Sequence, residues 1–382
     1  MSRRVVILTE IIAPYRIPVF NVLATRSEID VHVIFLSRTD RSMRDWRVYE
    51  DEIRFSYEVL PCWRRRVGKY NLLLNSSVTS ALRRANPDVL VCGGYNYLAA
   101  WQAMNWAKRN QIEFLLWSES TAQDRRGRHS LVEWLKRKFL HNCDGFVVPG
   151  HSALEYLKQF ASPQQKIFLA RNAVDIDLFA ATEQKIRSTA DRLRGELALP
   201  ARYFLFVGRL VRSKGVVDLV EAYSELNPEL RSQISLVFAG DGPLRAELEA
   251  LARDISPGSV HFAGFVQRDE LANYYALAEC LVMPTHTDPW GLVVNEAMAC
   301  SLPVICTNVA GCAEDLIRAN GIRVAPGDVR QLSEAMRTMA TDADLRRYMS
   351  RESLRLIQNY SPEACAAGIA EAAVTSGAHL HA

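Results

Sequence analysis

Two carboxylates, two cations and three short glycine-containing loops in the second half of the chain have the types and spacings needed to hold a phosphorylated sugar. The first set lies in Pro284-Thr-His-Thr-Asp-Pro-Trp-Gly-Leu-Val-Val-Asn-Glu-Ala-Met-Ala-Cys-Ser-Leu-Pro303. A helix beginning near Gly291 leaves its first amides unpaired, so Gly291, Leu292 and Val293 offer donors and a positive dipole end to an anion of phosphate size. Glu296 falls about one and a half turns inside that helix. Helical side chains lean toward the N-terminus, so its carboxylate reaches the hydroxyls of a ribose anchored there. Asp288, in the loop ahead, suits sugar hydroxyls in the same crevice, and Trp290 is a further candidate contact. The competing reading makes Asp288 a helix cap and Glu296 a solvated face residue.

The second set is Val207-Gly-Arg-Leu-Val-Arg-Ser-Lys-Gly215. Arg209 and Lys214, at a strand end beside Gly208, are what a departing diphosphate needs as negative charge develops on it. As mere surface cations they would oppose the dipole of the helix that follows. The third, Ala239-Gly-Asp-Gly-Pro-Leu244, supplies a tight turn through Gly240 and Gly242 and a proline for a first helical position. It has half of a dinucleotide fingerprint, yet Arg245 occupies the third glycine position, which argues against a nicotinamide dehydrogenase. The chain has no Gly-Lys-Ser or Gly-Lys-Thr, which removes the simplest ATPase.

These loops need strands to carry them. Short β-branched runs alternate with helical patterns almost throughout, predicting parallel sheets covered by helices on both sides. In the first half strands are expected at Val5 to Thr9, Val31 to Leu36, Asp88 to Cys92, Glu113 to Trp117, Gly145 to Val148 and Lys166 to Ala170. A polar stretch from Asp175 to about Leu199 interrupts the rhythm. A second series follows at Tyr203 to Val207, Ile234 to Ala239, Val260 to Ala263, Leu281 to Met283, Val304 to Cys306 and Gly321 to Val324. The expected architecture is α/β, two Rossmann-like domains facing a central cleft, where ligands of such sheets bind. The domains are expected at 1–175 and 176–360, with a last helix at about 361–382 crossing back to the first.

Composition agrees with a folded globular protein. The chain has 382 residues, 49% hydrophobic and 23% charged, enough for two cores and too ordered in composition for a disordered or collagenous chain. A net charge of +3 is too small for a dedicated nucleic-acid binder. No apolar run approaches the ~18 residues of a membrane helix, and the N-terminal apolar run is too short for a signal peptide, so a cytoplasmic location is expected. The eight cysteines form no CxxC pair and read as reduced structural thiols.

At this point the residues resemble the retaining glycosyltransferases of family 4, with the GT-B fold. The likeness rests on Arg171-Asn-Ala-Val-Asp-Ile-Asp-Leu-Phe179, Gly208-Arg-Leu with Lys214-Gly215, Gly240-Asp-Gly-Pro, Gly264-Phe and the Asp288 to Pro303 segment, which carries two acids eight positions apart. The resemblance implies that Glu296 binds the nucleotide ribose, that Arg209 and Lys214 bind the diphosphate and that Asp288 contacts the transferred sugar. Gly208, Gly240, Gly242, Trp290, Gly291 and Leu292 would line the substrate. The first acid is commonly Glu in the family; an Asp followed by Pro289 shortens the sugar contact by one methylene.

The first half departs further. After the first strand the chain reads Thr9-Glu-Ile-Ile-Ala-Pro-Tyr-Arg-Ile-Pro18, where relatives often carry a glycine-containing loop, so acceptor binding is built differently, with Arg16 a candidate substrate contact. The strand ending at Trp117 continues into Ser118-Glu119-Ser120, which makes Glu119 the candidate acceptor-side group, able to take or hydrogen-bond the acceptor hydroxyl's proton. Otherwise Glu119 is tied to Arg125, Arg126 or Arg128. His129 and His286 are lesser candidates. Arg64, Arg65, Arg66 and Lys69 beside Trp63 and Tyr70, and Lys136 to Lys138 beside Trp134, are either solvated faces or holds on anionic lipid headgroups.

The expected reaction is transfer of a sugar from a nucleotide diphosphate donor, UDP-sugar favoured, to a saccharide or lipid-linked saccharide, with retained anomeric configuration and no metal or other cofactor. A nucleotide-sugar epimerase of the same shape and a non-catalytic nucleotide-sugar binding subunit are the alternatives. The expected partners are the donor and the acceptor, with no nucleic acid; an anionic surface at the inner membrane face is the alternative to solvated basic patches.

Overall fold

In the computed structural model, which describes residues 2–40, 46–67, 70–124, 130–186, 189–255 and 257–375, the chain divides into two units. Unit 1 comprises Met1–Ala173 and Ser361–Ala382; unit 2 is Val174–Tyr360. The strands of unit 1 are β1 (Arg3–Thr9), β2 (Ile29–Phe35), β3 (Ser56–Val59), β4 (Trp63–Val67), β5 (Tyr70–Leu74), β6 (Val89–Gly93), β7 (Glu113–Trp117), β8 (Gly145–Val148) and β9 (Lys166–Leu169). Seven form a parallel sheet ordered β3-β2-β1-β6-β7-β8-β9, while β4 and β5 pair antiparallel as a separate ribbon.

Strand side chains alternate between faces, so a strand apolar at every position must be covered on both. In β1, Val5 and Ile7 enter one core with Val33, Val91 and Leu115, and Val6 and Leu8 enter the other with Ile34, Leu90 and Leu116. The first core is closed by the helices Ile17–Ala24 and Pro362–Thr375, the latter contributing Cys365, Ala366, Ile369 and Ala373. Gly368 lets this last helix approach β9: a Cβ there would lie 2.2 Å from the Leu169 carbonyl oxygen.

In unit 2, β10 (Tyr203–Val207), β11 (Ser235–Ala239), β12 (Val260–Gly264), β13 (Cys280–Met283), β14 (Val304–Thr307) and β15 (Gly321–Val324) form a parallel sheet ordered β12-β11-β10-β13-β14-β15. Tyr203 and Leu205 of β10 face one core, Phe204 and Phe206 the other. In both sheets the strand order reverses once, between β1 and β6 and between β10 and β13. At such a reversal successive connections leave the sheet in opposite directions, opening a crevice at the strands' carboxyl ends.

The twelve expected strands all form, and α/β architecture with two Rossmann-like units holds. The sequence reading lacked β3 and the β4–β5 ribbon, and the polar stretch after Asp175 folds as helices Ile176–Ile186 and Ala190–Glu196.

Candidate functional site

The loops after β10 and β13 flank the reversal in unit 2, and hydrogen bonds lock them together. The Ser213 carbonyl accepts from the Thr285 hydroxyl at 2.9 Å and from the His286 amide at 2.9 Å. Thr307 donates to the Thr285 carbonyl at 2.6 Å, fastening the same loop to β14. Lys214 follows Ser213 directly, so the stitch carries its ammonium onto the Asp288 carboxylate, with which it pairs. Both side chains keep some solvent contact, 28% and 13% exposed. The pair is thus held in place yet reachable.

Asp288 does not cap the helix that follows. Its second oxygen accepts from the Trp290 amide at 3.2 Å, and the helix Leu292–Ala299 starts from a left-handed Gly291 with no side-chain cap. Its leading amides therefore keep the anion-binding character expected of them. Trp290, expected as a substrate contact, is corrected by its burial: the ring is 3% exposed against Tyr360 and its indole nitrogen donates to Asn295 Oδ1 at 2.9 Å. It shapes the loop from within the core.

Glu296 lies half-buried one turn further on, its Oε2 accepting from the buried Tyr275 hydroxyl at 2.7 Å. Burial pushes its carboxyl up to about 7, against the pull of the Tyr275 hydrogen bond and the Arg268 charge. A diol hydroxyl can donate to it once it is ionised, so its acceptor strength changes near neutral pH.

The glycine loops are packed backbone on backbone. A Cβ on Gly240 would lie 1.9 Å from the Gly208 carbonyl oxygen, so only glycine lets the loops after β10 and β11 meet. Gly242 donates its amide to Asp241 at 2.7 Å. Arg209 sits exposed in the loop after β10. His286 is also exposed, and its Nε2 lies 2.5 Å from Asp218 Oδ2.

In unit 1, two residues expected separately prove to be partners. Arg16, in the turn after β1, pairs with Glu119, in the loop after β7. The Arg16 guanidinium stacks 3.7 Å from the Trp117 ring centre, and Asn172 Nδ2 donates to the same Glu119 oxygen at 3.3 Å. Ser120, next in chain, lies 3.5 Å from the Tyr95 hydroxyl after β6. Carboxylate, guanidinium, amide, hydroxyl and aromatic groups thus gather at the carboxyl edge of this sheet, a set suited to sugar hydroxyls. Asn172, Trp117 and Tyr95 were missed. Asn172 stood inside the Arg171 to Phe179 motif, the one signal that pointed to it.

The basic patches are corrected in part. Arg64 is mostly buried between Glu10 at 3.1 Å and Asp40 at 2.6 Å. Lys136 is held by Glu133 at 2.8 Å and by the Tyr156 hydroxyl at 2.8 Å. Neither is a loose surface cation. Lys69, Arg125, Arg126, Arg128 and His129 lie outside the described residues. Among the described residues the eight cysteines are unbridged, seven of them buried, no acidic, histidine or cysteine cluster could hold a metal ion, and no helix is long and apolar enough to cross a membrane.

Comparison with known proteins adds the following. Residues 23–178 match "Glycosyltransferase Family 4" and residues 189–355 match "Glycosyl transferases group 1". The sulfoquinovosyl transferase of Arabidopsis thaliana is 25% identical over 313 residues, 78% of this chain and 59% of that protein. The chain spans about half the length of the curated relatives it matches, from 36% to 62%. Among solved structures, sucrose-phosphate synthase from Thermosynechococcus elongatus superposes with a TM-score of 0.73 at 22% identity, covering 97% of this chain and 98% of that one. Anabaena HepE, solved with UDP-glucose, gives 0.71 at 16% identity, covering 98% and 100%. These likenesses show the GT-B fold.

Proposed function

We propose, for a chain that belongs to the family 4 glycosyltransferases, transfer of a sugar from a UDP-sugar to a saccharide or lipid-linked saccharide acceptor with retained anomeric configuration, in surface polysaccharide or glycoconjugate biosynthesis. The observation that carries this reading is the convergence on one crevice of the Lys214–Asp288 pair, the uncapped start of the Leu292–Ala299 helix and the Tyr275-bonded carboxylate of Glu296. The solution of an Anabaena neighbour with UDP-glucose supports the choice of nucleotide.

In this reading the helix amides and Lys214, with Arg209, take the diphosphate. As the bond between the sugar's anomeric carbon and the phosphate oxygen lengthens, its electrons move onto the diphosphate, and these charges stabilise the excess. No metal is needed for that role. The sugar ring gains oxocarbenium character, and Asp288 is the carboxylate that orients its hydroxyls. Lys214 and Asp288 neutralise each other before donor binds, so the diphosphate competes for an ammonium already in position. Glu296 reads the ribose.

Unit 1 supplies the acceptor side. Glu119, pinned by Arg16 and Asn172 through one oxygen, keeps its other oxygen for an acceptor hydroxyl. With a lipid-linked acceptor the enzyme works at the inner face of a cytoplasmic membrane, whose anionic surface is a further partner.

A thermal-shift screen of nucleotide sugars tests donor choice. A ligand at a hundred times its dissociation constant stabilises by about 2.7 kcal/mol, and UDP-sugars should stand out. NMR of the best donor, alone and with saccharide acceptors, then follows the anomeric carbon. Product with the donor's configuration, formed only with acceptor, is expected; conversion of donor alone would indicate an epimerase and refute transfer.

A further inference from the structure

One helix of unit 1 presents its apolar side outward. Along Ser130–His141, Leu131 is 65%, Val132 56%, Trp134 54% and Leu135 39% exposed, whereas Phe139 and Leu140 face the core. Leu131, Trp134, Leu135 and Lys138 are spaced three and four apart and share one side of the helix, where a solvated surface helix carries polar residues. The only carboxylate of this helix, Glu133, is engaged by Lys136. Arg137 and Lys138 are exposed at its C-terminal half, and the Lys138 ammonium lies 5.1 Å from the Trp134 ring.

The β4–β5 ribbon repeats the pattern independently. Its register sets Trp63 opposite Leu74 and Arg65 opposite Leu72. Trp63, Leu72 and Leu74 are 51%, 44% and 42% exposed, with Arg65 exposed among them, while Leu73 on the other side is buried. Leu73, Phe139 and Leu140 belong to one core, so ribbon and helix cover the same face of the sheet.

We infer that the outward sides of the Ser130–His141 helix and the β4–β5 ribbon form a docking surface for an anionic lipid bilayer. Charge decides between a bilayer and a second copy of the chain. Among the described residues the exposed positions of helix and ribbon hold three cations, Arg65, Arg137 and Lys138, against one partly exposed carboxylate, Glu133, which Lys136 already engages, so a self-contact would oppose like charges, whereas anionic headgroups complement them. The division within the helix fits as well. Its N-terminal half carries the leucines, valine and tryptophan that enter the acyl boundary, and its C-terminal half carries cations at headgroup level. The inference rests on the reading of an anionic membrane surface as a partner and assigns the face that meets it; its test needs neither donor nor acceptor, so its failure leaves sugar transfer standing.

The test is flotation of the full chain with vesicles of phosphatidylcholine alone and of phosphatidylcholine with 30% phosphatidylglycerol, at about 0.1 M and 0.5 M NaCl, together with tryptophan emission. Expected are binding to the anionic vesicles, loss of at least tenfold in partition at high salt, and a blue shift of emission. The exposed pair Leu131→Glu with Leu135→Glu should lower partition at least tenfold while thermal unfolding stays as in the parent chain. Trp63→Ala should lower it severalfold. Absence of binding by the parent chain, wild-type binding by the leucine double variant, or a dimer in sedimentation that the double variant dissolves without any vesicle binding would each overturn the inference.

Discussion

Replacing Tyr275 by Phe deletes one oxygen and isolates a single effect. The Tyr275 hydroxyl donates to Glu296 at 2.7 Å, and that bond favours the ionised carboxylate. A hydrogen bond to a charged group contributes about 1.5–3 kcal/mol, and one pKa unit corresponds to about 1.4 kcal/mol, so the variant should lift Glu296 by one to two units. From about 7, its titration should move to about 8–9. Carbon-13 NMR of the side-chain carboxyls, with Glu296 assigned by its loss in Glu296→Gln, reads this directly without ligand. At pH 7.5 the ionised fraction then falls from about three quarters to between a quarter and a few per cent, and UDP affinity should fall by about 3- to 25-fold if the ribose donates to the carboxylate. A Glu296 midpoint that stays at about 7 or falls would refute the account of how this residue is tuned. A shifted midpoint with unchanged UDP affinity would refute its ribose role alone.

Lys214→Ala should lower sugar transfer on the order of a hundredfold, by analogy with loss of one oxyanion donor, and steady-state rates at saturating donor check it. Asp288→Asn should leave UDP affinity within about threefold while lowering transfer at least tenfold; equal losses in isothermal titration and in rate would make Asp288 a holder of Lys214 and not a sugar contact. Glu113, buried beside Arg3 at 3.3 Å, is pushed up to about 7 by burial, so its folded-state pKa exceeds the unfolded one. Its stabilising contribution is present in full below the unfolded pKa and disappears as pH rises through about 7; urea unfolding should lose up to about 3 kcal/mol between pH 5 and 8, and Glu113→Gln should flatten that slope. Gly368→Ala gains about 1 kcal/mol of helix propensity but places a methyl 2.2 Å from the Leu169 carbonyl oxygen, so calorimetry should show net destabilisation of unit 1.

Central parallel strands were legible because they are short apolar runs buried on both faces, as in Val5 to Leu8 or Tyr203 to Val207, whereas the parallel edge strand β3, exposed at three of its four positions, carries no such run. β4 was not. Trp63-Arg-Arg-Arg-Val67 reads as a charge run, and it becomes a strand where Leu73 is drawn into the core and Arg64 meets Glu10 and Asp40, contacts that no local pattern announces. The donor-side residues could be read from their loops, since amides at a helix start and cations at a strand end act through local geometry. Their pairing could not. Lys214 and Asp288 are 74 positions apart and Arg16 and Glu119 are 103 apart, so only the strand order brings them together. Nor was the burial of Trp290 legible, since its bond to Asn295 depends on the helix that follows.

The Pro362–Thr375 helix closes the first core of unit 1, although the whole of unit 2 lies between it and Ala173 in the sequence. During synthesis, therefore, the later half of the gene product can mature before the earlier half. Both hydrophobic cores of Val174–Tyr360 are built from residues of that stretch alone, whereas the sheet begun by β1 waits with Val5, Ile7 and Phe20 open on one side. That interval is when a chaperone would find this polypeptide, and its duration is set by the time needed to translate an entire domain.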